Sequence, residues 1–162
     1  HYNLGDRSNI SGPWGYQPGH QVEWAKLLLI LDRHAPDPGH LPRARELFDR
    51  AVAMAWDERH GGLVYGNHDE GGFYHEDKYF WVQAEALATA ALLPDRTGEA
   101  GYWQWYDRIW DYSWTHFVDH AHGAWYRILA PDNGKVADEK SPAGKTDYHT
   151  MGACYDVLRV VP

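Results

Sequence analysis

The chain has almost no cysteine, no excess of positive charge and no long apolar run, and each absence excludes a class of protein. Cys154 is the only cysteine among 162 residues, which excludes an internal disulfide framework and favours a reducing, cytoplasmic compartment. Fifteen basic residues stand against 23 acidic ones, a net charge of −8. Nucleic acid binding requires a basic footprint, so it is not expected. No apolar run approaches the roughly 20 residues that cross a bilayer, and no charged-then-apolar leader opens the chain, so we expect neither a membrane span nor a signal peptide.

The sequence also lacks the common cofactor and nucleophile motifs. It has no Gly-rich phosphate loop, no Gly-x-Ser-x-Gly elbow and no Cys-x-x-Cys pair, so nucleotide cofactors and serine or cysteine nucleophiles are disfavoured. We expect no cofactor. Large aromatic residues are abundant instead, with nine Trp and eleven Tyr. Such residues bury much area in cores and also stack on ligands, and we assign most of them to the core.

Apolar periodicity predicts an all-α fold of five helices joined by long loops with short strands. Three helices are apolar almost all round, at residues 19–33, 79–93 (ended by Pro94) and from 148 through 158. Two are amphipathic, at 42–57 and 99–118. Buried helices alternating with half-exposed ones predict three inner helices wrapped by two outer ones, a partial toroid. A partial toroid leaves an apolar side exposed.

A weak internal repeat lies in the loops. Residues 57–61 (DERHG) align with residues 119–123 (DHAHG). Further on, 69–71 (DEG) match 132–134 (DNG) if the second copy carries a one-residue insertion. Both copies follow an amphipathic helix and precede a buried one, so we expect the long loops to gather at the end where the inner helices begin.

Two histidines occupy distinctive positions at the mouths of inner helices. His20 lies in the sequence PGHQVEW, and His149 ends the sequence GKTDYH. A histidine at such a position can take and return a proton near neutral pH. Two of them facing one cavity would suit the movement of a proton between the two sides of a sugar carbon.

The histidine spacing in the segment 116–122 is similar to that of some metal sites. His116 and His120 have the i,i+4 spacing that can hold zinc, and His122 or Asp119 could add a third ligand. The Asp-x-x-His-Gly frame recurs at 57–61 without a second histidine, however, which favours a shared loop element. We expect no metal.

Four segments carry a resemblance to a known family. They are residues 18–25 (PGHxxEWA), 78–86 (KYFWVQAEA), 118–126 (VDxxxHGAWY) and 144–149 (GKTDYH). In this order, across nearly the whole chain, they resemble the N-acylglucosamine 2-epimerase family, which includes cellobiose 2-epimerases, mannose isomerases and sulfoquinovose isomerase. The resemblance implies an (α/α)6 barrel of about twice this length, with this chain as its C-terminal half. It also implies either a missing N-terminal half or association into a homo-oligomer.

The resemblance further implies metal-free acid/base chemistry on a free monosaccharide or disaccharide. His20 and His149 would be the acid and base, acting through an enediol or enediolate. Glu23, one helical turn from His20, would orient its imidazole or handle hydroxyl protons. The residues implied to contact or border the sugar are Trp81, Lys145, Asp147 and Trp14. Sugar-binding residues that family members draw from the N-terminal half are absent here.

Several alternatives stay open. The sequence Asp147-Tyr148-His149-Thr150 is closer to the isomerase branch than to the Pro-Tyr-His-Asn-Gly of cellobiose 2-epimerases, which favours aldose–ketose isomerisation of a mannose/fructose type over 2-epimerisation. An inverting glycosidase would need two carboxylates, and paired acids occur at 69–70, 76–77 and 138–139. A non-catalytic carbohydrate-binding fragment is the third reading. Gln83 and Glu85 are expected to be structural, tying loops to helix ends.

Overall fold

The computed structural model describes residues 15–140 and 147–161, and it contains the five predicted helices. Trp14 and Lys145, two of the expected sugar contacts, lie outside the described residues. The helices are α1 (Pro18–His34), α2 (His40–Ala55), α3 (Phe80–Thr97), α4 (Gly101–His116) and α5 (Tyr148–Leu158). Two antiparallel two-stranded ribbons lie in the loops: β1 (Gly66–Asn67) with β2 (Phe73–His75), and β3 (Lys78–Tyr79) with β4 (Ile128–Leu129).

Helix α3 forms the centre of the fold. Every residue from Val82 to Pro94 is buried, and the helix packs against α1, α4 and α5. Alanine occupies several of these positions, which lets neighbouring helices approach closely. Helix α2 packs outside α1. The inner set is therefore α1, α3 and α5, the outer set is α2 and α4, and the predicted partial (α/α)6 barrel is confirmed.

The prediction that Pro94 ends the third helix is wrong. The helix continues to Thr97, and Gly98 ends it with a left-handed φ of 74° and an amide hydrogen bond to the Pro94 carbonyl. A proline removes its own amide hydrogen bond, and so close to the helix end that loss is tolerated. The last turn is also held from outside, because Arg96 pairs with the Asp32 carboxylate of α1.

The internal repeat is a shared loop structure built on an aspartate. One carboxylate oxygen of Asp57 accepts hydrogen bonds from the backbone N–H groups two and three residues later, and Asp119 does the same. The second oxygen pairs in each case with a lysine 21 residues further along the chain, Lys78 or Lys140. Sequence similarity had revealed the aspartates but not the lysines.

The one-residue insertion assumed for the second copy is wrong. The His68 amide bonds to the Gly72 carbonyl, and the Ala130 amide bonds to the Gly134 carbonyl, at the same offset that separates the two aspartates. The turns match by backbone conformation, since Gly71 and Asn133 both have left-handed φ values, of 99° and 70°. Asparagine tolerates this region better than most residues, which hid the correspondence in the sequence.

The two aspartate–lysine pairs predict unequal losses of stability. Lys78 is fully buried and bonds Asp57 at 2.7 Å and the Pro131 carbonyl at 2.6 Å. Burial raises the pKa of Asp57, but the hydrogen bonds from Lys78 and two backbone amides outweigh it and hold the pKa below its usual range. Lys78→Met leaves that carboxylate unpaired, so we expect a loss of about 3–5 kcal/mol in the free energy of unfolding, measured in urea.

Lys140→Met is the matched control, because the lysine side chain is 28% exposed where it pairs with Asp119. Water can reach the lysine, but the Asp119 carboxylate is only 9% exposed, so we expect a measurable loss that is smaller than that of Lys78→Met. The pKa of Asp57 lies below its usual range, so we expect the loss in Lys78→Met to be complete above about pH 4 and to shrink as the pH falls through the folded pKa of Asp57. Equal losses in both variants at pH 7 would contradict this explanation.

Large apolar side chains are exposed on the first and last inner helices. Trp24, Leu27 and Leu31 lie on α1, while Met151, Tyr155 and Leu158 lie on α5. This is the exposed apolar side that a partial ring was predicted to leave. Within the described ranges, every helix is too short or too polar to cross a membrane.

Candidate active site

The first turns of the three inner helices bring His20, Trp81 and His149 together. The ring centroid of Trp81 lies 5.3 Å from that of His20 and 5.4 Å from that of His149. Both contacts are tilted, and all three side chains are half-buried. The two histidines singled out by the sequence therefore contact the same indole, at the end of the barrel where the inner helices begin.

A glycine next to His20 allows this approach. A Cβ atom on Gly19 would lie 2.4 Å from the Cη2 atom of Trp81 and 2.8 Å from a methyl group of Val82. Any side chain here would push α1 away from the indole. The glycine of the Pro-Gly-His sequence is thus required by packing.

His149 is held through one ring nitrogen by a buried glutamate. Its Nδ1 atom lies 2.7 Å from Oε1 of Glu85, whose side chain is 1% exposed. A carboxylate on Nδ1 fixes the orientation and tautomer of an imidazole. Nε2 is then the nitrogen that can exchange a proton with a ligand.

The second oxygen of Glu85 faces a buried lysine. Nζ of Lys26 lies 2.6 Å from Oε2 of Glu85, an ion pair without the alignment of a hydrogen bond. The Lys26 side chain is 6% exposed. A continuous chain of contacts therefore runs from α1 through α3 to His149 on α5.

Glu23 lies beside this group as well as on the helix face of His20. One carboxylate oxygen of Glu23, one of Glu85 and one nitrogen of His149 all lie within 4.8 Å of one another. Sequence spacing had associated Glu23 with His20; the structure brings it to His149 too. These donors are of the kind that bind divalent metals, but the Lys26 ammonium already supplies a positive charge against Glu85.

Asp156 on α5 is also buried, as Glu85 on α3 is. The ionisation of its carboxyl predicts how the stability of the fold varies with pH. Burial raises its pKa, an effect only partly offset by Lys26 and Arg159. Folding then favours the protonated form, so the contribution of this carboxyl to stability is lost as the pH rises through its folded pKa. Asp156→Asn is expected to raise Tm at pH 7 by a few degrees and to make little difference at pH 3.5. A lower Tm at pH 7 would show that the lysine contact outweighs burial.

The other residues singled out from the sequence are Asp147, Gln83 and Glu85, and they have different surroundings in the structure. Asp147 is exposed at the N-cap position of α5, where its carbonyl accepts the Met151 amide hydrogen bond at 2.8 Å. Gln83 bonds both backbone groups of Leu63, at 2.9 and 2.7 Å, so its predicted role in tying a loop to a helix is confirmed. Glu85 does not tie a loop as expected, because its carboxylate contacts His149 and Lys26 on two neighbouring helices. A charged residue in an otherwise apolar inner helix was the signal that could have revealed it.

The histidines around residue 120 are engaged separately. Nε2 of His120 lies 2.9 Å from the Trp114 carbonyl oxygen, and the His116 ring packs on Tyr112. Burial, with a smaller contribution from Lys78, lowers the pKa of His116. In the part of the chain that the structure describes, these histidines form no group of three metal-binding side chains.

Three of the six acids in the pairs at 69–70, 76–77 and 138–139 contact basic side chains. Asp138 pairs with Lys135 at 2.7 Å, and Glu139 pairs with Arg127 at 2.7 Å. Asp77 lies 3.2 Å from His75. These surface contacts disfavour the glycosidase reading.

The inner ring of helices gathers two histidines and a tryptophan at one end, as the resemblance to a family of (α/α)6 barrels implied. The chain belongs to the N-acylglucosamine 2-epimerase family, whose sequence profile matches residues 3–153. The resemblance read from four short segments is confirmed.

Relatives in both branches of the family are similar to this chain. The D-mannose isomerase of Marinomonas mediterranea is 53% identical over 160 residues, which are 99% of this chain and 41% of that protein. The cellobiose 2-epimerase of Bacteroides fragilis is 27% identical over 143 residues, or 86% of this chain and 36% of that protein. A crystal structure of D-mannose isomerase superimposes with a TM-score of 0.89 at 53% identity, over 95% of this chain and 39% of that one. The chain thus spans about two fifths of the length of the relatives it matches.

Proposed function

We propose that this chain supplies the catalytic histidines of an enzyme that interconverts a free aldose and its ketose, with D-mannose and fructose as the pair. The placement of His20 and His149 on one indole, with His149 backed by Glu85, carries the proposal. The 53% identity with a D-mannose isomerase supports the choice of sugar.

The reaction begins with removal of the proton on C2 of the open-chain aldose. Nε2 of His149 takes this proton, and the Glu85 carboxylate stabilises the imidazolium that forms. The C2–H electron pair becomes the C1=C2 double bond, while the carbonyl oxygen on C1 receives a proton from His20. The product of this step is an enediol.

The second half of the reaction reverses these roles at the neighbouring carbon. His20 takes the proton of the C2 hydroxyl as the C2 carbonyl forms, and C1 receives the proton held by His149. Both histidines return to their starting states, so the cycle needs no other reactant. The metal-free character of the mechanism is part of the proposal.

The neighbouring residues would hold the sugar and open its ring. We assign Trp81 to stacking on the sugar, because its indole contacts both histidines. Glu23, close to His149 and Glu85, would exchange hydroxyl protons during ring opening. Asp147, together with Lys145 and Trp14 outside the described residues, completes the proposed sugar contacts.

A 2-epimerase is the second candidate, and the cellobiose 2-epimerase relative favours it. In that reaction the same enediolate forms, but the proton returns to the opposite face of C2. The same pair of histidines serves if they flank the two faces of the sugar. The sequence of residues 147–150 favours the isomerase.

A chimera tests both candidates. In it, this chain replaces the matching segment of the Marinomonas mediterranea D-mannose isomerase, so that the relative supplies the remainder of the barrel. We expect fructose from D-mannose, followed by ¹³C NMR, with turnover lost in His20→Ala. Glucose would indicate the epimerase, and a folded chimera that converts neither mannose nor cellobiose would leave only a binding fragment. An assay of the 162-residue chain alone shows whether it is active without the rest of the barrel. An assay of the chain mixed with the separate remainder shows whether the two pieces complement each other.

Gly19→Ala is expected to lower kcat of the chimera about 10- to 100-fold, because displacement of Trp81 by an ångström is enough for such a loss. Gly101→Ala, at the exposed start of the outer helix α4, is the control, since its added methyl group would meet nothing within 4 Å. The control should retain activity and gain slightly in stability. Full activity of Gly19→Ala would show that the position of Trp81 does not matter.

We also propose that the apolar faces of α1 and α5 are covered by the remainder of the barrel, which favours a single closed ring over a homo-oligomer of this chain.

A cytoplasmic location is proposed as well, since Cys154 is free and exposed.

A further inference from the structure

Lys26 is an unusual residue for its position. It lies in a helix whose neighbouring inward residues are Val22, Ala25 and Leu29, all buried, and its own side chain is 6% exposed. Burying an ammonium group is expensive, and an apolar side chain of similar length would pack at least as well. The charge therefore needs a reason other than packing.

Two contacts and one longer-range charge interaction define what Lys26 reaches. Its Nζ atom lies 2.6 Å from Oε2 of Glu85 and 5.9 Å from the ring centroid of Tyr148, the residue before His149. It also interacts electrostatically with the buried Asp156 carboxyl. These partners lie on α3 and α5, so Lys26 joins all three inner helices next to the catalytic histidine.

The two oxygens of Glu85 explain the arrangement. Oε1 accepts the His149 contact and Oε2 faces Lys26. A buried charge is tolerated when it is paired, and Lys26 is the cation that pairs with Glu85. Without that partner the carboxylate could shift away from Nδ1 of His149, and the imidazole would be free to adopt the other tautomer.

We propose that Lys26 is a positioning residue that acts on His149 through Glu85. It fixes the orientation of the Glu85 carboxylate, so that His149 presents Nε2 to the sugar. This inference rests on the proposed function, in which His149 is the base.

A double-mutant cycle in the chimera tests it. Lys26→Met is expected to lower kcat about 10- to 100-fold, the usual loss when a residue behind a functional group is removed, with KM for D-mannose nearly unchanged. Lys26→Arg keeps the charge and should restore most of the activity. In a Glu85→Gln background, Lys26→Met should cause no further loss, because its route to His149 is already broken.

A spectroscopic measurement separates this proposal from the proposed function. An imidazole N–H that donates to a carboxylate gives a downfield proton signal, which His149→Ala identifies by its disappearance. We expect the signal in the unaltered chimera and in Lys26→Arg, and its loss or marked upfield shift in Lys26→Met. If the unaltered chimera shows the signal but turns over no sugar, the proposed function fails while the structural role of Lys26 is still tested.

Two results would overturn the inference. One is an unchanged signal together with unchanged kcat in Lys26→Met. The other is a full additional loss in the Glu85→Gln background, which would mean that Lys26 acts by another route. If Lys26→Met alone does not fold, the double variant, which leaves neither member of the Lys26–Glu85 pair charged, is compared directly with Glu85→Gln.

Discussion

His149→Ala is expected to lower the rate at which the chimera removes the C2 proton of D-mannose by about 10²–10⁴-fold, the range of general acid–base catalysis. The variant loses the nitrogen that takes the proton and leaves Glu85 facing a cavity. KM should change much less than kcat, because Trp81 and the sugar contacts remain in place. The rate is measured by NMR as loss of the C2 proton signal in D2O.

His34→Ala is the matched control for this variant. His34 ends helix α1, the helix that His20 begins, and is exposed. We expect it to retain full activity and nearly full stability. A loss of less than about tenfold in a folded His149→Ala variant would show that another group takes the proton.

Glu85→Gln is expected to have the second large effect, about 10²- to 10⁴-fold in kcat. The side chain keeps its shape, but an amide cannot stabilise the His149 imidazolium and can donate to Nδ1, which selects the wrong tautomer. Exchange of an acid for its amide behind a catalytic histidine has an effect of this size in serine proteases. The measurement is a pair of kcat and KM values for D-mannose.

Glu85→Gln should also lower the stability of the fold. It leaves the Lys26 ammonium buried against a neutral amide, so we expect a loss of about 3–5 kcal/mol in the free energy of unfolding. Glu99→Gln is the control, because Glu99 forms a surface pair with Arg45 at 2.9 Å and its side chain is 49% exposed. That variant should lose about 1 kcal/mol or less. Equal losses in the two variants would contradict a buried charge network.

The fold could be predicted from the sequence because buried and exposed helix faces differ in residue type. The nearly continuous apolar stretch in α3 predicted an inner helix, and the amphipathic pattern at 42–57 predicted an outer one. The structure places these helices at Phe80–Thr97 and His40–Ala55. The predictions were wrong at a helix end near Pro94 and at the turn that contains Asn133, where one hydrogen bond or one φ angle determines the local structure.

The site could be predicted in part. His20 and His149 were found because they open helices in distinctive sequences, and the resemblance to the family linked them. The contact between His149 and Glu85 joins residues 64 positions apart and depends on how three helices pack, which periodicity does not describe. Lys26 and Glu85 were visible as charges within apolar helices, but their partners were not.

The most direct test of the account is the incubation of D-mannose in D2O with the chimera, with and without EDTA. Proton transfer by His20 and His149 through an enediol predicts fructose that carries deuterium at C1, formed at the same rate in EDTA and lost in His149→Ala. Fructose without deuterium, formed only when EDTA is absent, would contradict the account. That result would indicate a metal-dependent hydride shift.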